Sequence, residues 1–144
     1  MPRSPRRVRP EVISGSIDTL LRPVVHIELL GLSEPMETLV DTGFTGDLII
    51  YESDARSAQL SFSPTVRQRV IVAGDQEALF VVTRGSVRWC GVEREIDIFV
   101  IPGLRLADRG LYSTLGTKFL SECLLTVNFA KHRVEIRHLE PSRR

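Results

Sequence analysis

The run "TLVDTGFTGDLII", residues 38–50, sets an acid, a hydroxyl and two glycines inside a β-rich apolar stretch. A buried charge is costly unless nearby groups stabilise or neutralise it. Asp41, lying between Leu39-Val40 and Leu48-Ile49-Ile50, is therefore expected to be either a turn residue or a working group. A tuned carboxylate can act as general base on a water and then as general acid on a leaving amine. The Thr42 hydroxyl can bond a neighbouring backbone, and Gly43 admits positive φ and the close approach of another chain. In the bland alternative Asp41 only closes an Asx-type turn on its own backbone. A tripeptide of this kind arises by chance in about 3% of chains this long, so Asp41-Thr42-Gly43 needs its context.

The elements that would position these residues are mostly strands, because apolar β-branched residues recur in short runs between turn residues. Strands are expected near 11–17, 23–30, 36–40 and 47–51, with "GLSEP" (31–35) as a turn. "SDARSAQL" (53–60) suits a short surface helix capped by Ser53. Strands at 67–72 and 77–83 flank "AGDQ" (73–76), a hairpin with Gly74 at its tip. A second pair, 86–90 and 94–101, surrounds Gly91; "LGTKFLSE" (115–122) is a second candidate helix; 124–129 and 133–139 form a closing hairpin. The plan is all-β with two short helices. Within it "LVDTGFTGDLII" and "YSTLGTKFL" share one shape, a strand, a loop with glycine and an apolar continuation.

A chain of 144 residues can bury roughly 68–70% of the surface its unfolded form exposes, enough for one core. One domain over 11–140 is expected, between a basic arm at 1–10 and a frayed tail at 141–144. Net charge of +1, 42% hydrophobic and 26% charged residues imply no bulk attraction to nucleic acid or anionic membranes. No stretch approaches the roughly 20 apolar residues of a membrane span. Arg3, Arg6, Arg7 and Arg9, interleaved with Pro2, Pro5 and Pro10, precede no apolar segment, so the chain reads as cytoplasmic. The arm reads as a solubilising tail, with docking to nucleic acid or an acidic partner as the alternative. Cys90 and Cys123 stand apart without a CxxC motif and read as reduced, packed thiols. His26, His132 and His138 do not cluster with them, and neither metal nor cofactor is expected.

Taken in order, Asp41-Thr42-Gly43 after Leu39-Val40, Phe44-Thr45-Gly46, a strand, a glycine-tipped hairpin and Thr114-Leu115-Gly116 resemble the retropepsin-like aspartic proteases, specifically their small bacterial single-domain branch. "LVDTGFTGDLII" looks like the catalytic loop, "VIVAGDQEALFVV" (70–82) like the flap and "TLGTKFLSECLLTVNFAKHRVEI" (114–136) like the second loop and closing strands. The resemblance spans roughly residues 12 to 138. It implies a closed, pseudo-symmetric β barrel with a flap hairpin and one or two short helices. It also implies an aspartic endopeptidase with one catalytic acid per chain, acting on a peptide or protein substrate. Since one carboxylate cannot be base and acid at once, the enzyme would be a C2 homodimer with two Asp41 carboxylates across a shared water.

By the same resemblance Thr42 would brace the two loops across the interface, and Gly43 would present its carbonyl to the substrate backbone. Phe44, Thr45 and Gly46 would complete the loop beside the substrate. Ala73, Gly74, Asp75 and Gln76 would form the flap turn over the bound peptide, and Leu115 and Gly116 would support the catalytic loop. Retroviral members typically carry a small residue after the glycine, then an aspartate, and an arginine after the later glycine; this chain has Phe44, Thr45 and Thr117 there. The acid and its cationic partner are missing together, and Phe44 bears on pocket size. A catalytically silent peptide-binding or dimerisation module of the same fold is the alternative reading.

Overall fold

The computed structural model describes residues 12–63, 65–73, 76–103 and 112–139. The segments expected as a basic arm and a tail, and Gly74 and Asp75, expected at the flap tip, lie outside the described residues. Ten strands and one short helix follow one another: β1 (Val12–Ile17), β2 (Pro23–Leu29), β3 (Met36–Val40), β4 (Leu48–Tyr51), α1 (Glu52–Ser57), β5 (Arg67–Ala73), β6 (Gln76–Trp89), β7 (Val92–Ile101), β8 (Ser113–Leu115), β9 (Cys123–Asn128) and β10 (Arg133–His138). Alternation along β3 buries Met36, Thr38 and Val40 on one face, as period-two patterning dictates. In β4, Leu48, Ile49 and Ile50 are all buried, because the strand is covered on both faces.

The strands pair in the order β5-β6-β7-β4-β8-β3-β2-β1-β10-β9. The far end of β6 also returns to β2, with Glu28 opposite Arg88 and Leu29 opposite Val87. Strands β2, β3, β8, β4, β7 and β6 therefore form a closed ring, the barrel expected from the sequence. Closure removes sheet edges around the core. Two parallel pairs give the ring its internal symmetry, β3 with β8 and β4 with β7. The two segments of related shape thus meet side by side, Leu39 opposite Thr114 and Val40 opposite Leu115.

Inside, Val25, Ile27, Met36, Leu48, Ile50, Ile98, Leu115, Phe119 and Ile136 belong to one main cluster. Phe119 meets Trp89 edge-on, ring centroids 4.6 Å apart. A second, smaller cluster forms under the flap strands from Phe44, Ile49 and Phe99, with Val72, Phe80, Val82 and Ile101 packed against it.

Three local expectations are corrected. The expected strands at 77–83 and 86–90 are one continuous β6, because Gly85 marks a close approach rather than a break: a Cβ there would lie 2.6 Å from Ile98 Cδ1. The candidate helix at 115–122 is absent; Leu115 ends β8, and hydrogen-bonded turns carry the chain to β9. Cys123 already pairs with His138, leaving too short a run to offset the cost of a helical nucleus. In α1, Ser53 lies inside the helix instead of capping it, and its amide donates to the Gly103 carbonyl at 3.2 Å. Glu52 and Asp54 in the first turn still favour the positive end of the helix dipole. The pairing around Gly91 holds, through a two-residue turn with positive φ at Cys90 and Gly91. Among the described residues no helix is long and apolar enough to cross a membrane.

Candidate active site

Strand β3 ends at Val40 and delivers Asp41 to the rim of the barrel. Its amide donates to the Leu115 carbonyl at 3.0 Å, and its own carbonyl accepts the Phe44 amide at 3.2 Å. The Gly43 amide donates to Asp41 Oδ1 at 2.8 Å, which is the Asx-type turn. That bond fixes the carboxylate while occupying one oxygen; Oδ2 has no partner among the described residues. Asp41 is half-buried in the single chain, so the acid expected to be buried is open to solvent here. Thr42 is exposed. Gly43 does not use positive φ, unlike Gly31, Gly91 and Gly103, so conformational freedom is not why glycine stands there.

The rest of the loop is pinned from two sides. Phe44's carbonyl accepts the Thr117 amide at 2.9 Å and its hydroxyl at 3.3 Å, and Asp47's carbonyl accepts the Gly116 amide at 2.9 Å. On the other side the Thr45 amide donates to Ile71 of β5 at 3.1 Å. The first and second loops are thus joined by backbone bonds along 41–47 and 115–117. Phe44 is fully buried, its ring edge-on to Phe99 at 5.7 Å. Beyond the loop, β5 and β6 pair as far as Ala73 opposite Gln76, with an irregularity between Ile71 and Ala73. A cavity of about 370 Å³ opens between loop and hairpin, lined in part by Thr45, Gly46, Ile71, Glu77, Phe99 and Lys118.

The buried acid is Asp47, 4% exposed. Its Oδ2 accepts the Asp97 amide at 3.1 Å and lies 3.9 Å from Lys118 Nζ; its Oδ1 has no partner among the described residues. Lys118 Nζ donates to Asp97 Oδ2 at 2.9 Å, and Arg84 donates to Asp97 Oδ1 at 2.7 Å. The hydrogen bond from Lys118 holds the Asp97 carboxyl below its ordinary range, and the same bond holds the Lys118 ammonium above its own. Sequence reasoning missed this cluster. Asp47 and Lys118 stand 71 positions apart in the sequence, so no local spacing signalled that they lie 3.9 Å apart.

Arg69 and Glu77 also line the cavity. Cys90 and Cys123 form no disulfide and pack against the main core, and burial pushes the Cys123 thiol up. His26 is exposed, and His138 lies 3.4 Å from Glu122 at the closing hairpin. Among the described residues no group of His, Cys, Asp and Glu side chains could hold a metal ion.

No protein-family model and no curated protein matches the chain. Among solved structures it is similar to a retropepsin-like aspartic protease from Rickettsia conorii, at 19% identity and a TM-score of 0.57, over 90% of this chain and 94% of that one. The similarity shows that the fold is retropepsin-like.

Proposed function

We propose that this chain is an aspartic endopeptidase that works as a homodimer, with Asp41 of each copy facing the other across one water. The observation that carries this reading is the Asp41 carboxylate itself. It stands at a strand end with Oδ1 held by the Gly43 amide and Oδ2 uncommitted, on a loop fixed by Leu115, Gly116 and Thr117. A carboxylate used only to close a turn needs no such second loop beneath it.

In the dimer two carboxylates brought this close cannot both ionise, so they share one proton. The ionised member takes a proton from the water as it attacks the peptide carbonyl; the protonated member donates to the oxygen that becomes negative. The roles then reverse as the amine leaves. Half-burial of Asp41 in one chain becomes full burial when a second chain covers it, and one shared charge costs far less to desolvate than two. Thr42, exposed beside it, would bond across that interface. The β5–β6 hairpin borders the same loop, where the Ile71 carbonyl accepts the Thr45 amide, and would close on an extended peptide, excluding water.

Hydrolysis of a peptide library, with and without a pepstatin-type inhibitor, tests the reading. Inhibitor-sensitive products lost in Asp41→Asn are expected. Products that persist in Asp41→Asn, or no products from a confirmed dimer, would remove it.

A further inference from the structure

Resting on the peptidase reading, a further feature of the site concerns what it accepts. Phe44 follows Asp41 by three residues and gives its amide to the Asp41 carbonyl, yet its ring is wholly buried. The ring lies against Gly46 and Phe99: a Cβ on Gly46 would sit 2.6 Å from Phe44 Cζ and 2.7 Å from Phe99 Cε2. Gly46 and Phe99 also line the cavity between the catalytic loop and the flap hairpin. The cavity wall at that point is the Gly46 backbone and Phe99, and the Phe44 ring lies directly behind Gly46. Its charged lining is Arg69, Glu77, Asp97 and Lys118, while its apolar side chains are limited to Ile71 and Phe99.

We propose that Phe44 is a specificity-determining residue: its ring fills the space behind the Gly46 and Phe99 wall of this cavity, so the peptide side chain entering there must be short. A Phe or Leu side chain would need the space that the Phe44 ring occupies. Its hydrophobic surface would otherwise be left against the charged lining, where burial of apolar area is incomplete. Interiors packed at crystal-like density yield no such space without displacing a side chain. The second cluster leaves little slack, since Phe80 and Phe99 stack edge-on at 6.1 Å behind the ring.

The test compares chains carrying Phe44, Phe44→Leu and Phe44→Ala, each made both as such and with Asp41→Asn so that binding is read without turnover. Thermal melts identify folded variants, and the leucine variant carries the test where alanine does not fold. Benzene is the probe for the vacated space, since apolar cavities of ring size stay dry and bind it. Peptides varied one position at a time among Ala, Leu and Phe report the preference. At one position the native chain is expected to favour Ala over Phe by about 10-fold or more; shortening Phe44 should erase or reverse that ratio, and benzene should bind the alanine variant only. A ratio that does not move, whether or not benzene enters, overturns the proposal and leaves the peptidase reading intact. A ratio that moves in binding while the native chain cleaves nothing upholds the specificity role and removes the peptidase reading. Failure of every variant to bind any peptide removes both.

Discussion

Gly116 faces Gly46 so closely that a Cβ on Gly116 would lie 2.2 Å from the Gly46 carbonyl oxygen and 2.4 Å from Phe44 Cδ1. The two glycine-bearing loops therefore cross in backbone contact, and the Gly116 amide bond to Asp47 at 2.9 Å locks the crossing. Asp41 takes its position from this crossing, because its amide bonds Leu115, the residue before Gly116. Gly116 has φ in the ordinary range, so its lack of a side chain is required by space.

Gly116→Ala should consequently push the Asp41 loop away from the second loop. Overpacking of this kind costs about 1–3 kcal/mol, and displacement of Asp41 should lower peptide hydrolysis by more than the loss of folded protein explains. Melting curves and turnover per folded molecule check it. A variant with native stability and turnover would show that the contact is not needed.

Much of this arrangement could be read from the sequence. The strand-loop-strand pattern around Asp41 and the echo at "YSTLGTKFL" follow from local chemistry, apolar alternation interrupted by glycine, and both were legible. The burial of Asp47 was not, because an acid opening a strand looks like a turn residue until β7 brings the Asp97 amide to it. The expected division of β6 into 77–83 and 86–90 fails for a similar reason, since the packing of Gly85 against Ile98 is a tertiary fact. The segment 116–122 has helix-forming residues, but pairing of Cys123 with His138 overrides them. Phe44 read as a groove residue; its place in a buried cluster depends on Phe80 and Phe99, far along the chain.

The Lys118 cluster sets a pH dependence for stability. Asp97 is depressed from 3.8, so its contribution is present above that value and lost as pH falls through the lower folded value. Lys118 is raised from 10.5, so its contribution is present below that value and lost as pH rises through the higher folded value. Lys118→Met should lower Tm by a few degrees between these limits, a modest effect because the Lys118 side chain is 58% exposed. The gap between the two proteins should close once Asp97 is protonated in strong acid. A gap constant from neutral pH down to strong acid would mean that Lys118 contributes through packing alone.

Hydrolysis has its own pH signature under the shared-proton mechanism. Activity should pass through a maximum, falling when both Asp41 carboxylates are protonated and again when both are ionised. The initial rate on one peptide across the range in which the dimer stays folded is the measurement. A rate that does not vary across that range excludes a dyad holding a single proton.

Mixing experiments reach furthest, because the proposed site needs Asp41 from two chains. Asp41→Asn preserves the size of the side chain and leaves an oxygen to accept the Gly43 amide, so the variant should fold and dimerise while hydrolysing nothing. Its chains should also be dominant over native ones. With equal amounts exchanging freely, random C2 pairing leaves about a quarter of dimers with both acids, and activity should fall to about that fraction. Independent sites in each chain would retain about half. Dilution separates the cases a second way: specific activity should drop as monomers come to dominate, by mass action, and return on concentration. A mixture that keeps half its activity, or a monomer of confirmed mass that cleaves at full rate, would require a second acid from the same chain. Asp47 could not serve without losing its place, since its Oδ2 holds the Asp97 amide and its side chain is buried beneath the loop.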